Sequence, residues 1–472
     1  MKLKNILIPL ILFGLTFTLR LYKLSSALGD WHSWRQADTA SVAREYVKNG
    51  IDLLHPKYMD LSSIPSGKEN PEGYRMVEFP IVNAVHAYLA SSFPGLGLVE
   101  WGRLLSIFAS SCSVVFLYLI VKQISGTRPA FLTGLVYAVL PYSVYYGRVI
   151  LPEPHLVLFM LSSLWFFIKY WDSNRLWYYA LTLLSLTLAI LMKPTALVIL
   201  LPMAGYSLAL GITTKKLIAA LAIPALAVLP YLSWRNYIQA YPAGIPASEW
   251  LFNGNNIRFK GAWFHWLFGD RLGRLILGYW GLIPFGLGLV SLGKKKKEVL
   301  VYGGLLLGSL SYISVVATGN VQHDYYQVLI MPAVAVMTGL GFSYLLGLGK
   351  GLKKLYLTAL AGFIFVLMLA LAWYEVRGFF WVNNGAMVEA GQEVDKLAGQ
   401  DVLVIAPYMG DTAFLFQTNR RGWPIGGDIE NKIKAGARYY VTTTRDDEYR
   451  ELLKKYTLVK ETANYSIIKL TK

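Results

Sequence analysis

The chain has 472 residues, of which 55% are hydrophobic and only 15% charged, and its mean hydropathy is +0.43. A soluble domain carries about 25% charge, so much of the surface must face lipid; disorder, a collagen-like repeat and a disulfide scaffold are excluded, the last because Cys112 is the only cysteine. The net charge of +17 is read first against the membrane and not as a nucleic-acid footprint.

The first residues, MKLKNILIPLILFGLTFTL, form a long apolar run that Arg20 ends. No small-x-small cleavage site follows, which predicts an uncleaved span and not a signal peptide. Further runs able to cross about 30 Å of hydrocarbon lie near 103–121, 130–147, 155–171, 177–192, 195–211, 217–233, 276–292, 299–316, 328–347 and 355–375. About eleven transmembrane helices are therefore expected. Lys122 and Arg128, Arg175, Lys215 and Lys216, Lys294 to Lys297, and Lys350, Lys353 and Lys354 mark alternate loops. The positive-inside rule puts these loops and the N-terminus in the cytoplasm of a plasma-membrane protein, with the C-terminus outside. The apolar segment 80–93 would reverse this parity as a span, so it is predicted to be an interfacial helix ended by Pro94 and Gly95.

The remaining outer segments are 25–102, 148–154, 234–275, 317–327 and everything after about 376. From 385 the pattern changes to strand 401–406, two helices, strand 438–444, a third helix and two short strands. Such alternation predicts a small α/β domain with a partly parallel sheet. The expected division is a transmembrane domain over 1–384, with interfacial helices in the loop 25–102, and an extracytoplasmic domain over 385–472.

Polar residues crowd the outer side. Asp30, His32, Arg35 and Asp38 fall close together among Trp31 and Trp34, and Arg35, Asp38 and Val42 share one face of a predicted helix. Glu78 precedes the interfacial helix. Arg148 and Glu153 lie in the second outer loop, Lys193 in LMKPTA, Arg235 and His265 in the fourth loop, and His323, Asp324, Tyr325 and Tyr326 open a span. Arginine and lysine neutralise phosphate, Trp and Tyr suit headgroup depth, and a carboxylate accepts a proton from an attacking hydroxyl. These are the parts needed to move a sugar from a polyprenyl phosphate. Structural readings stand beside each: snorkelling for Arg148, Lys193 and Arg235, helix capping for Asp30, Asp38 and Asp411, a backbone bond for His323, and an ion pair with Arg75 for Glu78.

In these residues the chain resembles the C-type membrane glycosyltransferases, in particular bacterial relatives of protein O-mannosyltransferases and lipid A aminoarabinose transferases. RLYKL, HSWRQADTASVAREY, VEFPIVNAV, EWGRLLS, RVILPEP, LMKPTAL, HDYYQVLIMP and GDTAFLFQTNRRGWP follow the family order. The resemblance implies a polytopic helical fold with an outer C-terminal domain, and inverting transfer with an acidic base in the first outer loop. The family's Asp-Glu pair would fall near Arg35 and Gln36, where no acid stands, so Asp38 is favoured as base and Asp30 is second. Glu78 matches the acid of the family's Glu-Lys-Pro-Pro segment, but Phe79 replaces the lysine, and another cation, with Arg35 the candidate, must cover that loss. Glu153 matches an acidic position of the second loop, and Lys193 and Tyr326 match positions near the lipid phosphate.

The reading is transfer of a hexosyl or pentosyl group from a polyprenyl-phosphate donor to a protein, lipid or glycan acceptor outside the cytoplasm. Catalysis is expected from Asp38, Asp30 and Glu78. Donor or phosphate contacts are expected from His32, Arg35, Arg148, Glu153, Lys193, Arg235, His323, Tyr325 and Tyr326. No cofactor is required by any motif; a divalent metal ion, held by Glu78 and His265, is the one cofactor considered. Membrane lipid is a partner and nucleic acid is not. The alternatives are a flippase for lipid-linked sugars, which would need ionisable groups within the spans, and a non-catalytic assembly partner.

Overall fold

The computed structural model describes residues 4–471. By compactness the chain forms two units, one of residues 1–22, 104–235 and 248–378, the other of 23–103, 236–247 and 379–472.

The first unit is helical. The apolar runs expected to span fall largely on helical structure, the run 276–292 only from Leu282 onward: Lys4–Arg20, most of Leu98–Ser125, Thr127–Val139 with Pro141–Tyr146, Glu153–Ser173, Leu176–Met192, Pro194–Leu210, Thr214–Ala227 with Leu229–Tyr237, Leu282–Ser291, Lys296–Val315, Asp324–Gly347 and Leu352–Val376. Among the described residues, five helical runs are long and apolar enough to cross a membrane, and four shorter ones are apolar. Met331–Gly347 is buried along nearly its whole length and packs against Leu282–Ser291 and Thr127–Val139. Small residues permit the first contact: a Cβ at Gly288 would lie 1.9 Å from the Met337 carbonyl oxygen, and one at Gly341 would lie 1.6 Å from that of Pro284. Arg20 is wholly buried, and its guanidinium donates to the carbonyl oxygens of Thr16, Ala138 and Ser143 and to the Ser143 hydroxyl. Buried charge is thereby solvated by backbone dipoles.

The second unit mixes helix and sheet. Ser33–Asn49 and Ile81–Ser92 pack through Val42, Ala43, Tyr46, Tyr58 and Ala87. Ile81–Ser92, at 12 residues, is too short for about 30 Å of hydrocarbon at about 1.5 Å per residue, in keeping with the non-spanning helix expected there. The tail contributes β1 (Leu403–Ile405), β2 (Gly422–Trp423), β3 (Ala437–Thr442), β4 (Thr457–Glu461) and β5 (Ser466–Lys469), in the order β2-β1-β3-β5-β4. β1 pairs in parallel with β2 and β3, and β5 pairs antiparallel with β3 and β4. Ile405, Tyr440 and Ile468 face one apolar cluster with Tyr449 and Leu452. Their neighbours Val404, Val441 and Ile467 are equally buried on the opposite face, the period-2 alternation of a sheet covered on both sides.

Two elements of the tail were absent from the sequence reading: β2, which is only two residues long, and the helix Gly385–Leu397. The division also differs from a cut at 384/385. Residues 59–61 bridge to Gly422, with Leu61 N–H donating to the Gly422 carbonyl oxygen and Gly422 N–H to that of Met59 (2.8 and 2.9 Å). Leu61 enters the tail's apolar cluster, and Arg44 donates to the carbonyl oxygens of Phe416 and Arg420. The first long loop and the tail thus fold as one body.

Candidate functional site

Each unit carries its own polar cluster. In the mixed unit it is organised by the helix Ser33–Asn49. Positions three apart on a helix share a face, and Arg35 and Asp38 use this to meet two different partners. Arg35 Nη2 donates to Glu78 Oε1 at 2.5 Å. Asp38, 4% exposed, takes Arg75 Nη2 on Oδ2 at 2.8 Å and the Thr412 hydroxyl on Oδ1 at 2.7 Å. The Arg75–Glu78 pair weighed from the sequence is therefore not formed; the two arginines exchange partners. Arg35 thus provides a cation at Glu78.

Arg75 also lies over the Tyr58 ring (5.0 Å). The Tyr58 hydroxyl donates to Asp60 Oδ2 at 3.4 Å, and Asp60 Oδ1 accepts the Ser62 N–H at 2.8 Å. Burial pushes the Asp60 carboxyl up to about 7 against the opposing bonds from Ser62. Asp411 rises to about 6, again chiefly by burial. Its Oδ1 accepts the Ala413 N–H at 2.7 Å, a bond just before the helix Ala413–Gln417, whose N-cap position is Thr412.

Asp30 and Asp38 are not caps. The residue before the first turn is His32, in the left-handed region at φ 57° and without a side-chain cap. Asp30 is fully buried and binds Gln36 Nε2 (2.7 Å) and Arg103 Nη2 (3.4 Å). Because Arg103 also donates to the carbonyl oxygens of Leu24 and Ser26, Asp30 belongs to a clamp that holds the start of the loop. His32 packs edge-on against Trp31, which stacks on Phe379 at 5.0 Å.

In the helical unit, Glu153 opens the helix Glu153–Ser173 and is 3% exposed. Lys193, in extended backbone between Leu176–Met192 and Pro194–Ile199, pairs with Glu153 Oε1; Glu153 Oε2 has no hydrogen-bond partner. The Lys193 ammonium lies 5.0 Å from the Tyr326 ring centre and 5.8 Å from that of Tyr325. His323 stacks on both tyrosines and meets Trp250 edge-on. Asp324 is buried and accepts the Tyr146 hydroxyl, while the Tyr142 hydroxyl donates to its carbonyl oxygen. Arg148 is fully buried near the Tyr145 ring, so it does not snorkel. Close in sequence to Glu153, Lys193 and Tyr326, an apolar pocket is lined by Val157, Leu161, Val198, Leu329 and Ala333 from the same segments and by Leu305 from Lys296–Val315.

Arg235 is half-buried in the last turn of Leu229–Tyr237. His265 is exposed at the start of the π-helix His265–Ile276. Glu78 is engaged by Arg35, and among the described residues no group of three His, Cys, Asp or Glu could hold a metal ion. Arg75, Thr412 and Asp60 complete the Asp38 cluster and were not assigned to it from the sequence. Thr412 carries no local signal at all.

The profile of the family described as dolichyl-phosphate-mannose-protein mannosyltransferase matches residues 84–234. No curated protein matches in sequence. Among solved structures, ArnT from Cupriavidus metallidurans bound to undecaprenyl phosphate superposes with a TM-score of 0.68 at 13% identity, over 98% of this chain and 97% of that one. The oligosaccharyltransferase of Archaeoglobus fulgidus gives 0.60 at 11% identity over 93% and 69%. AglB of the same organism, in complex with an inhibitory peptide and a dolichol-phosphate, gives 0.58 at 10% over 94% and 69%. The chain has the fold of the C-type membrane glycosyltransferases, and within it residues 84–234 resemble the protein mannosyltransferase family.

Proposed function

We propose that this protein transfers a sugar from a polyprenyl-phosphate donor to an acceptor outside the cytoplasm. The observation that carries the reading is the Lys193 cluster: a cation and two tyrosines borne by segments that also line an apolar pocket. An ammonium has three donors and serves an anionic headgroup, while the apolar lining is of the kind an isoprenoid chain contacts. The ArnT and AglB structures hold lipid phosphates of this class. Eleven crossings, with the lysine-rich loops in the cytoplasm, complete the proposal.

In the reaction, the acceptor hydroxyl gives its proton to Asp38 as its oxygen attacks the anomeric carbon. The bond from that carbon to the phosphate oxygen breaks from the opposite face, and the polyprenyl phosphate leaves with the bonding electron pair. Each oxygen of Asp38 already accepts one bond, but a carboxylate offers about four lone-pair sites, so capacity for the acceptor hydroxyl remains. Glu78, on the same unit as Asp38, orients the acceptor.

Purified protein supplied with a radiolabelled polyprenyl-phosphate sugar tests this. Label reaching an acceptor, abolished by Asp38→Asn with donor binding retained, supports transfer. Movement of label between leaflets without transfer replaces it by a flippase, and neither result leaves a scaffold. Full activity in Asp38→Asn with loss in Asp30→Asn moves the base to Asp30.

A further inference from the structure

The mixed unit carries a second concentration of polar and aromatic groups that no step above uses. Residues 55–58 and 73–76 form a short antiparallel ribbon: Lys57 bridges to Tyr74, Tyr58 N–H donates to the Gly73 carbonyl oxygen, and Arg75 N–H to that of Pro56, both at 2.8 Å. Side chains alternate across such a ribbon. Tyr58 and Arg75 turn toward Asp38, while His55, Lys57 and Tyr74 take the other face. There His55 sits between Asp52 Oδ2 (2.9 Å from Nδ1) and the hydroxyls of Tyr237 and Tyr241 (2.8 and 2.9 Å from Nε2). Asp52 Oδ1 accepts the N–H groups of Leu54 and His55. Asp52 fixes Nδ1 as a donor, and Nε2 faces the two hydroxyls, which also meet each other at 3.4 Å.

The rings stand at angles to one another. Tyr74 and Tyr241 are 5.0 Å apart at 65°, His55 and Tyr241 5.4 Å at 79°, and Tyr237 and Tyr241 5.6 Å at 43°. All four are half-buried, unlike a core cluster, and the His55 side chain is 36% exposed. The rim holds Asp52 (58% exposed) and Glu72 (59%), the latter paired with Lys57 at 2.6 Å. Carboxylates at the rim repel anionic lipid headgroups, and the ring faces offer apolar area with fixed polar atoms alongside. A pyranose needs both, since its C–H face is apolar and its edge is a row of hydroxyls that carboxylates and an ammonium can bond.

We propose that His55, Tyr74, Tyr237 and Tyr241, with Asp52 and Glu72 at the rim, form a saccharide-binding subsite that docks a pyranose ring of a glycan acceptor. The word acceptor rests on the transferase reading; the binding does not. The ribbon places this subsite on the reverse side of the strand pair that presents Arg75 to Asp38, so a docked glycan and the candidate base share one support.

The test uses the full chain in lipid nanodiscs free of sugar detergents, with saturation-transfer NMR of maltotriose, cellotriose and chitotriose. At least one is expected to bind saturably. Tyr74→Ala and Tyr241→Ala should each weaken it about three- to tenfold, the worth of one aromatic contact, while Tyr241→Phe keeps the ring and most of the affinity. Absence of binding by all three in the wild type, or unchanged affinity in both alanine variants, overturns the subsite. Label transfer measured on the same samples separates the two claims: transfer without saccharide binding sinks the subsite alone, and binding without transfer sinks the transferase reading alone.

Discussion

Arg75 and Asp38 offer the sharpest energetic test, because the candidate base is also half of a buried ion pair. Their side chains are 10% and 5% exposed, so water screens the pair little. Replacing Arg75 by leucine leaves the Asp38 carboxylate buried with only the Thr412 hydroxyl, and removing one partner of a buried pair costs about 3–5 kcal/mol. Asp38→Asn is milder, since the amide still offers an acceptor to Arg75 and the guanidinium keeps the Tyr58 ring; about 1–3 kcal/mol is expected. The double variant should be more stable than Arg75→Leu alone, with a coupling of about 2 kcal/mol or more. Thermal unfolding of the four proteins in one detergent supplies the cycle. A chain of this size unfolds in more than one step, so the order of midpoints is the readout. If Asp38→Asn added to Arg75→Leu lowers the midpoint further, the buried-charge reasoning is refuted. Activity adds a second axis: the double variant is expected to regain stability without regaining transfer.

The other cluster is tested in the same way. Lys193→Gln should lower the midpoint by stranding the buried Glu153, by about 3–5 kcal/mol, and adding Glu153→Gln should recover much of it. Binding of a fluorescent polyprenyl phosphate should stay weak in both, and full affinity in either removes Lys193 from donor recognition. Asp60 gives a pH signature. Burial holds its folded value at about 7, above the ordinary aspartate value of about 3.9, so the native state binds the extra proton between them and stability falls as pH rises through that window, by at most roughly 4 kcal/mol. Asp60→Asn should therefore raise the midpoint more at pH 8 than at pH 5; an equal effect at both would show that this carboxyl does not titrate there. In a Cys112→Ala background, a cysteine at exposed Lys260 should react with an impermeant maleimide in intact cells and one at Lys296 should not. The reverse labelling would invert the proposed orientation.

Composition and periodicity suffice for the class of the molecule and most of its helices, because a run of about twenty apolar residues has few alternatives to a helix in lipid. The same holds for β1 and β3, whose alternating faces are written locally. β2 was not legible: two residues carry no period, and Gly422 and Trp423 become a strand only because β1 and residues 59–61 flank them.

For the candidate chemistry, the sequence singled out Asp38, Arg35, Glu78, Glu153 and Lys193 by residue type and local clustering. It did not determine which charge meets which. Arg35 and Arg75 are equally plausible partners for Glu78 along the chain, and the path of the loop across Ser33–Asn49 assigns them crosswise. Thr412 reaches Asp38 from a separation of 374 residues, and Asp30 becomes a clamp only where Arg103 arrives. Helical and strand periods act over a few residues and survive in any window of sequence, whereas an ion pair depends on where two distant backbones come to rest, and that is set by the packing of the whole unit.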